Sequence, residues 1–246
     1  MLVALLATCG TSVYAADPDP LNSPQWALMH EIMLGGAPYT FDARVVVLAP
    51  SSAEDAMNVP IGVRVDGLEI EELVVFADLN PIQKVLRFVP RHARPNLSFR
   101  IKIEQATPVR AAARTADGVW HVGGQWVDAA GGGCTAPSRS RATDDWVETL
   151  GQVRYHAWPA GNDAARLRLQ IMHPMDTGLA PGIPAFYLDR LELKDTSGEL
   201  YATLDLFEPI SENPLFTFDL DEPEAHGKLV LSGRDINGNR VYQALD

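Results

Sequence analysis

Three observations predict an all-β chain, with two antiparallel β-sandwiches in tandem behind one short helix. Apolar residues alternate with polar ones at a period of two through both halves. Turn residues punctuate the alternation every few positions, and glycine (19) and proline (18) are abundant among the 246 residues. The closing hairpins of the two halves also correspond: RTADGVWHV around residue 118 is echoed by RDINGNRVYQ around residue 238. Such a pattern favours many short strands over long helices.

The helix comes first. In NSPQWALMHEIMLGG, Ser23 is placed to cap with Pro24 at the first helical position, and Gly35 and Gly36 end the segment. Trp26, Met29, Ile32 and Met33 form one apolar stripe at helical spacing, with His30 beside it as a surface or packing histidine. Strands follow. In VPIGVRVDG, Ile61, Val63 and Val65 alternate with Gly62, Arg64 and Asp66; in LSFRIKIEQ, Phe99, Ile101 and Ile103 alternate with Arg100, Lys102 and Glu104. FDARVVVLA, ELVVFAD, KVLRFVP, VRAAAR and GVWHVGGQWV complete the first sandwich, with Asp117-Gly118 as a hairpin turn. In the second half ARLRLQIMH sets Leu167, Leu169 and Ile171 against Arg166, Arg168 and Gln170. AFYLDRLELKD, ELYATLDLF, LFTFDL, GKLVLSG and RVYQAL follow as strands. A polar segment, residues 135–149, joins the two halves, 16–134 and 150–246.

Composition narrows the function. At 46% hydrophobic and 21% charged the chain is expected to fold, and a formal net charge of -12 argues against nucleic acid, since no basic surface is available to displace counterions from phosphate. The start, MLVALLATCGTSVYAADPDP, has an apolar run from Leu2 to Ala7 and ends in Val13-Tyr14-Ala15. It reads as a signal peptide over residues 1–15, and the apolar run is too short to span a bilayer. A rival reading lipidates Cys9, although Thr8 before it matches such signals poorly. Both readings export the protein, which points to the periplasm and to no membrane span.

The cysteines then become informative. Cleavage after Ala15 removes Cys9 and leaves Cys134 as a single thiol in an oxidising compartment. Cys134 stands in WVDAAGGGCTAPSRSRATDDW, mounted on Gly131, Gly132 and Gly133. Three glycines are expected to leave the sulfur free to swing beyond the sheet edge, wet and exposed. Such an arm suits a carrier; it suits catalysis poorly, because a nucleophile needs its base held in register. An exposed thiol ionises near its ordinary value, with Arg139 and Arg141 favouring the thiolate and Asp144 and Asp145 opposing it. No CxxC, HExxH, GxSxG or phosphate loop is present, and no pair of carboxylates stands out, so no catalytic residues are assigned. Cys134, His173 and Met175 include the residue types of a blue-copper site in the wrong arrangement, because the cysteine lies 39 residues before the histidine. No metal is expected.

These stretches resemble a known family. MNVPIGVRVD, LVVFADLNP, RIKIEQATPVRAAARTADGVWHV and GGGC are similar to SoxY, the sulfur-carrier subunit of periplasmic thiosulfate oxidation. IMHPMDTGL and LFEPISENPLFTF are similar to its partner SoxZ. The two fused in one chain resemble SoxYZ-like carriers associated with quinoprotein dehydrogenases. The resemblance implies two immunoglobulin-like sandwiches and a covalent sulfur adduct on Cys134 in place of any cofactor. It implies partners among periplasmic sulfur-oxidising enzymes or a quinoprotein dehydrogenase system. In SoxY the cysteine lies near the chain end, whereas here Thr135-Ala136-Pro137 continues into the second half. The alternation of ARLRLQIMH carries His173 onto the apolar face, so that His173, Met175 and Asp176 are read as contacts at a domain interface or with a partner, beside a turn made by Pro174 and Asp-Thr-Gly.

Overall fold

The computed structural model describes residues 18–142, 146–161, 164–221 and 228–245. The export segment read in residues 1–15, with Cys9, lies outside them, as do Asp144 and Asp145. Helix α1 (Trp26–Leu34) precedes β1 (Tyr39–Phe41), β2 (Val45–Leu48), β3 (Val59–Val65), β4 (Glu72–Ala77), β5 (Lys84–Pro90), β6 (Ala93–Ile101), β7 (Thr107–Arg114) and β8 (Trp120–Val127). A 3-10 turn (Arg139–Ala142) and helix α2 (Trp146–Thr149) lead to β9 (Val153–Gly161), β10 (Ala164–Ile171), β11 (Leu188–Asp195), β12 (Leu200–Leu206), β13 (Leu215–Asp221), β14 (Leu229–Asp235) and β15 (Arg240–Leu245).

The chain is all-β, two immunoglobulin-like sandwiches in tandem, but they are not separate bodies on a linker. Two sheets run through both halves: a nine-stranded sheet ordered β1-β8-β7-β4-β5-β12-β11-β14-β15 and a six-stranded sheet ordered β2-β3-β6-β13-β10-β9. From β2 onward each half gives four strands to the larger sheet and three to the smaller, the strand set of a constant-type immunoglobulin sandwich. Each strand from β2 to β8 has its counterpart seven strands later in the same sheet position. The halves abut through equivalent strands, β5 against β12 and β6 against β13, both antiparallel. Four edges that would invite aggregation are thereby paired with each other.

One continuous apolar core lies between the sheets and crosses the seam, from Val63 and Ile101 in the first half to Leu169 and Phe216 in the second. Phe88 and Phe218 meet across it with ring centroids 6.3 Å apart. A smaller core lies outside the larger sheet, where Trp26 and Met29 of α1 cover Val74, Phe76, Ala112 and Val122. This explains why all six residues of β4 are buried instead of alternating.

Two sequence expectations change locally. Helix α1 begins at Trp26 without a side-chain cap, because Ser23 and Pro24 form the turn before it, held by Asp19 on the Ser23 N–H at 2.7 Å. Gly35 ends it in the left-handed region at φ 64. Ile32, assigned to the buried stripe, is exposed, while Leu34 is buried in its stead. Strand β9, VRYHAWPAG, was not foreseen. It is an edge strand pairing only with β10, which is where an internal Pro159 is tolerated.

Candidate functional site: a thiol closed in at the seam

Beyond β8 the chain does not leave the body. The Asp128 N–H donates to Ser51 O at 2.9 Å and Ala53 N–H donates to Asp128 O at 2.7 Å. The glycine loop then settles on Glu104. Its carboxylate accepts the Gly132 N–H at 3.1 Å, the Cys134 N–H at 2.9 Å, the Thr135 N–H at 3.1 Å and the Thr135 hydroxyl at 3.1 Å. Burial raises the Glu104 pKa, but those donors outweigh it and hold the carboxyl below its ordinary value.

The expectation of a free-swinging, wet arm is therefore corrected, and the glycines answer to a different need. Gly131 and Gly132 take φ of 101° and 82°, where side chains are strained. Gly133 has no such φ, but a Cβ there would lie 2.3 Å from both Ala56 O and Ile103 O. Two glycines turn the loop and the third lets it press against the backbone beneath.

Cys134 is completely buried, with 0% of its surface exposed. Asn80 Nδ2 lies 3.6 Å from Sγ, and Sγ lies 3.7 Å from Lys102 O. Asn80 is braced in turn, donating to Lys102 O at 3.1 Å and accepting the Glu104 N–H at 2.9 Å. Burial pushes the Cys134 thiol up to about 12, Glu104 adds to the rise, and Lys102 and Asn80 oppose it. The walls of this pocket come from connecting segments distant in sequence, the turn after β4 that carries Asn80 and the stretch after β6 that carries Lys102 and Glu104.

The second half closes the site. Thr177 Oγ1 donates to Cys134 O at 2.5 Å. Lys102 Nζ, on a buried side chain, donates to Met175 O. Burial lowers the Lys102 pKa to about 8 against the pull of Asp176. Met175, whose carbonyl meets the lysine, holds φ 52, an uncommon value for a non-glycine residue. Asp176 is buried and bound by Arg141 Nε at 2.6 Å. The second arginine, Arg139, pairs with Asp55 at 3.1 Å, and Ser140 N–H donates to Glu212 at 3.2 Å. Both arginines read as aids to the thiolate are thus paired with carboxylates instead.

His173 continues the buried phase of β10. Its Nδ1 accepts the Met175 N–H at 3.0 Å, which places the ring proton on Nε2, facing Asp235 at 3.4 Å. Burial lowers its pKa to about 4, with Asp235 opposing, so the ring is neutral at pH 7. The Met175 sulfur accepts the Leu188 N–H at 3.3 Å. His173 and Met175 therefore turn their ring nitrogens and sulfur to partners other than Cys134. Asn80 was not singled out in the sequence, and Lys102, Glu104 and Thr177 were read only as the polar phase of a strand and as part of a turn, yet the four make most of the thiol's surroundings.

Comparison with known proteins finds two successive family matches along the chain. Residues 30–134 match the family described as sulfur oxidation protein SoxY, and residues 153–245 match sulphur oxidation protein SoxZ. No curated protein sequence matches the chain. Among solved structures, the sulfur carrier protein SoxY from Chlorobium limicola f thiosulfatophilum is 19% identical, covering 43% of this chain and 96% of its own, at a TM-score of 0.38. A β-glucuronidase from Parabacteroides merdae is 7% identical, covering 83% of this chain and 24% of its own, at a TM-score of 0.25. The SoxY match ends on Cys134 itself, and the SoxZ match contains His173 to Gly178. The chain is a SoxYZ-like protein of sulfur oxidation, with a SoxY domain followed by a SoxZ domain in one polypeptide.

Proposed function

We propose that this chain is a non-enzymatic periplasmic carrier that holds sulfur-containing intermediates, of the thiosulfate-oxidation type, covalently on Cys134 and presents them to partner enzymes. The observation that carries the reading is the position of the thiol. It is the last residue of the SoxY match, on a glycine loop held to the body by hydrogen bonds that it donates to Glu104 and accepts from Thr177. Residues 131–135 carry little apolar surface, so undocking exchanges those bonds for bonds to water and exposes few hydrophobic atoms.

The docked thiol is a poor nucleophile. Burial pushes its pKa up to about 12, so almost none of it is ionised at pH 7. Loading thus requires the arm to leave its seat, with activation supplied by a partner. The adduct takes the place of a cofactor. The apolar run Leu2 to Ala7 followed by Val13-Tyr14-Ala15 supports export, which cell fractionation and the N-terminal mass of the mature protein test.

The zero exposure of Cys134 favours a second reading, in which the chain is an accessory module that binds a periplasmic quinoprotein dehydrogenase and carries nothing. Cys134→Ser separates the two. The carrier reading predicts loss of sulfur-compound oxidation and no mass adduct after incubation with sulfur donors and partner enzymes. Full physiological function in Cys134→Ser would establish the accessory reading instead.

A further inference from the structure

We propose that the docked arm senses its own load: the seat at the seam accepts the bare Cys134 thiol and rejects any adduct, so a loaded chain must release residues 131–135. The inference rests on the carrier reading and concerns what loading does to the shape of the protein.

Space is the first argument. At 0% exposure no water-sized volume touches Cys134, from outside or from an internal void. The smallest cargo, one added sulfur atom, is larger than a water oxygen. The walls are also braced. Asn80, 3.6 Å from Sγ, is tied to Lys102 O and to the Glu104 N–H. Toward the core the loop is flanked closely by backbone, since a Cβ on Gly133 would lie 2.3 Å from both Ala56 O and Ile103 O. On the outer side Thr177 is fastened to the Cys134 carbonyl. Packed interiors do not absorb an extra heavy atom without displacing something.

Charge is the second. The oxidised sulfur groups that a carrier of this type would hold are anionic. The carboxylate that clamps the arm, Glu104, binds the N–H of the very residue that would bear them. Lys102, a buried cation nearby, has its ammonium turned to Met175 O. Loading therefore weakens docking electrostatically as well as sterically. An empty chain is closed and inert, whereas a loaded chain presents an extended arm and uncovers Glu104 and Thr177. Partner enzymes can tell the two apart by shape.

The test is hydrogen exchange at the Gly132, Cys134 and Thr135 amides of the full chain, with and without an adduct placed chemically. Tetrathionate supplies it in mild urea. The Cys134 thiolate, its proton lost to solvent, attacks a sulfane sulfur and forms a new S–S bond. The central S–S bond breaks, thiosulfate leaves with the electron pair, and Cys134 keeps a thiosulfonate. Intact mass gives the extent of modification after return to buffer, and amides of β4 and β10 report that the fold is regained. The three loop amides will exchange slowly in the free-thiol chain, about tenfold or more faster in the adduct, and slowly again after reduction. Cys134→Ala, which fits the seat, will keep the protection, and Cys134→Leu, which does not, will lose it. Equal protection with and without adduct, or a docked Cys134→Leu, overturns the proposal. Because the adduct is placed chemically, this result is independent of whether physiological donors ever load Cys134, which is what the carrier reading itself requires.

Discussion

Thr177, in the SoxZ domain, donates its hydroxyl to the main-chain carbonyl of Cys134, the last residue of the SoxY match, at 2.5 Å. The thiol is closed in by both halves together, and its accessibility depends on contacts that neither half makes alone.

That hydrogen bond can be removed by a single substitution. Thr177→Val keeps the shape and deletes the donor to Cys134 O and the acceptor for the Leu179 N–H. A loss of about 1 kcal/mol in docking is expected, which raises the rate of thiol labelling roughly five- to tenfold. Maleimide labelling followed by mass spectrometry measures it, and an unchanged rate would remove the second half from control of the thiol.

Glu104 gathers three N–H groups and one hydroxyl on a single carboxylate. Glu104→Gln retains the size but loses the charge and one acceptor oxygen. Docking should weaken by about 2 kcal/mol, and Cys134 should be labelled roughly thirtyfold faster, with little change in global unfolding by urea.

The three glycines are predicted to differ. Gly133→Ala sets a methyl 2.3 Å from two carbonyl oxygens, so the arm cannot seat and the thiol becomes reactive. Gly131→Ala and Gly132→Ala impose strain of about 1–2 kcal/mol at positive φ and should leave the arm partly docked. A freely swinging arm would tolerate all three alike. Labelling rates for the three variants, side by side, decide.

Docking should fail at both ends of the pH scale. The Glu104 carboxyl is held below its ordinary 4.5, so its contribution is complete above that value and is lost as pH falls through the depressed one. The Cys134 thiol is raised from 9.0 to about 12, so its contribution is complete below 9.0 and is lost as pH climbs toward 12. Labelling with a dithiodipyridine, which reacts in acid as well as base, should be slowest between about pH 5 and pH 9 after correction for the ionisation of a free thiol. A rate that merely tracks a free cysteine would contradict the closed seat.

Much of the fold is legible in the sequence because alternation reports burial directly. Leu167, Leu169 and Ile171 are all buried, and His173 follows in phase. The corresponding hairpins are seen at Gly118 and Gly238, with φ of 83° and 87°. What alternation does not carry is a partner packed edge to edge. Lys102 stands in the polar phase of LSFRIKIEQ, yet β6 ends at Ile101, the Lys102 N–H donates to Pro209 O of the second half at 2.6 Å, and the buried side chain donates to Met175 O of that half. The same holds for the thiol. Its flanking residues are polar and small, and the walls around it come from Asn80, Lys102 and Thr177, far away in sequence. The glycine run was ambiguous on its own terms, since freedom of motion and close approach demand the same residue.

The carrier role is tested most directly by the intact mass of the protein isolated without reductant from cells oxidising a reduced sulfur compound, alongside Cys134→Ser. The account predicts a mass increase that a thiol reductant removes and that Cys134→Ser never shows. An unmodified mass under those conditions, in wild type and variant alike, would contradict it.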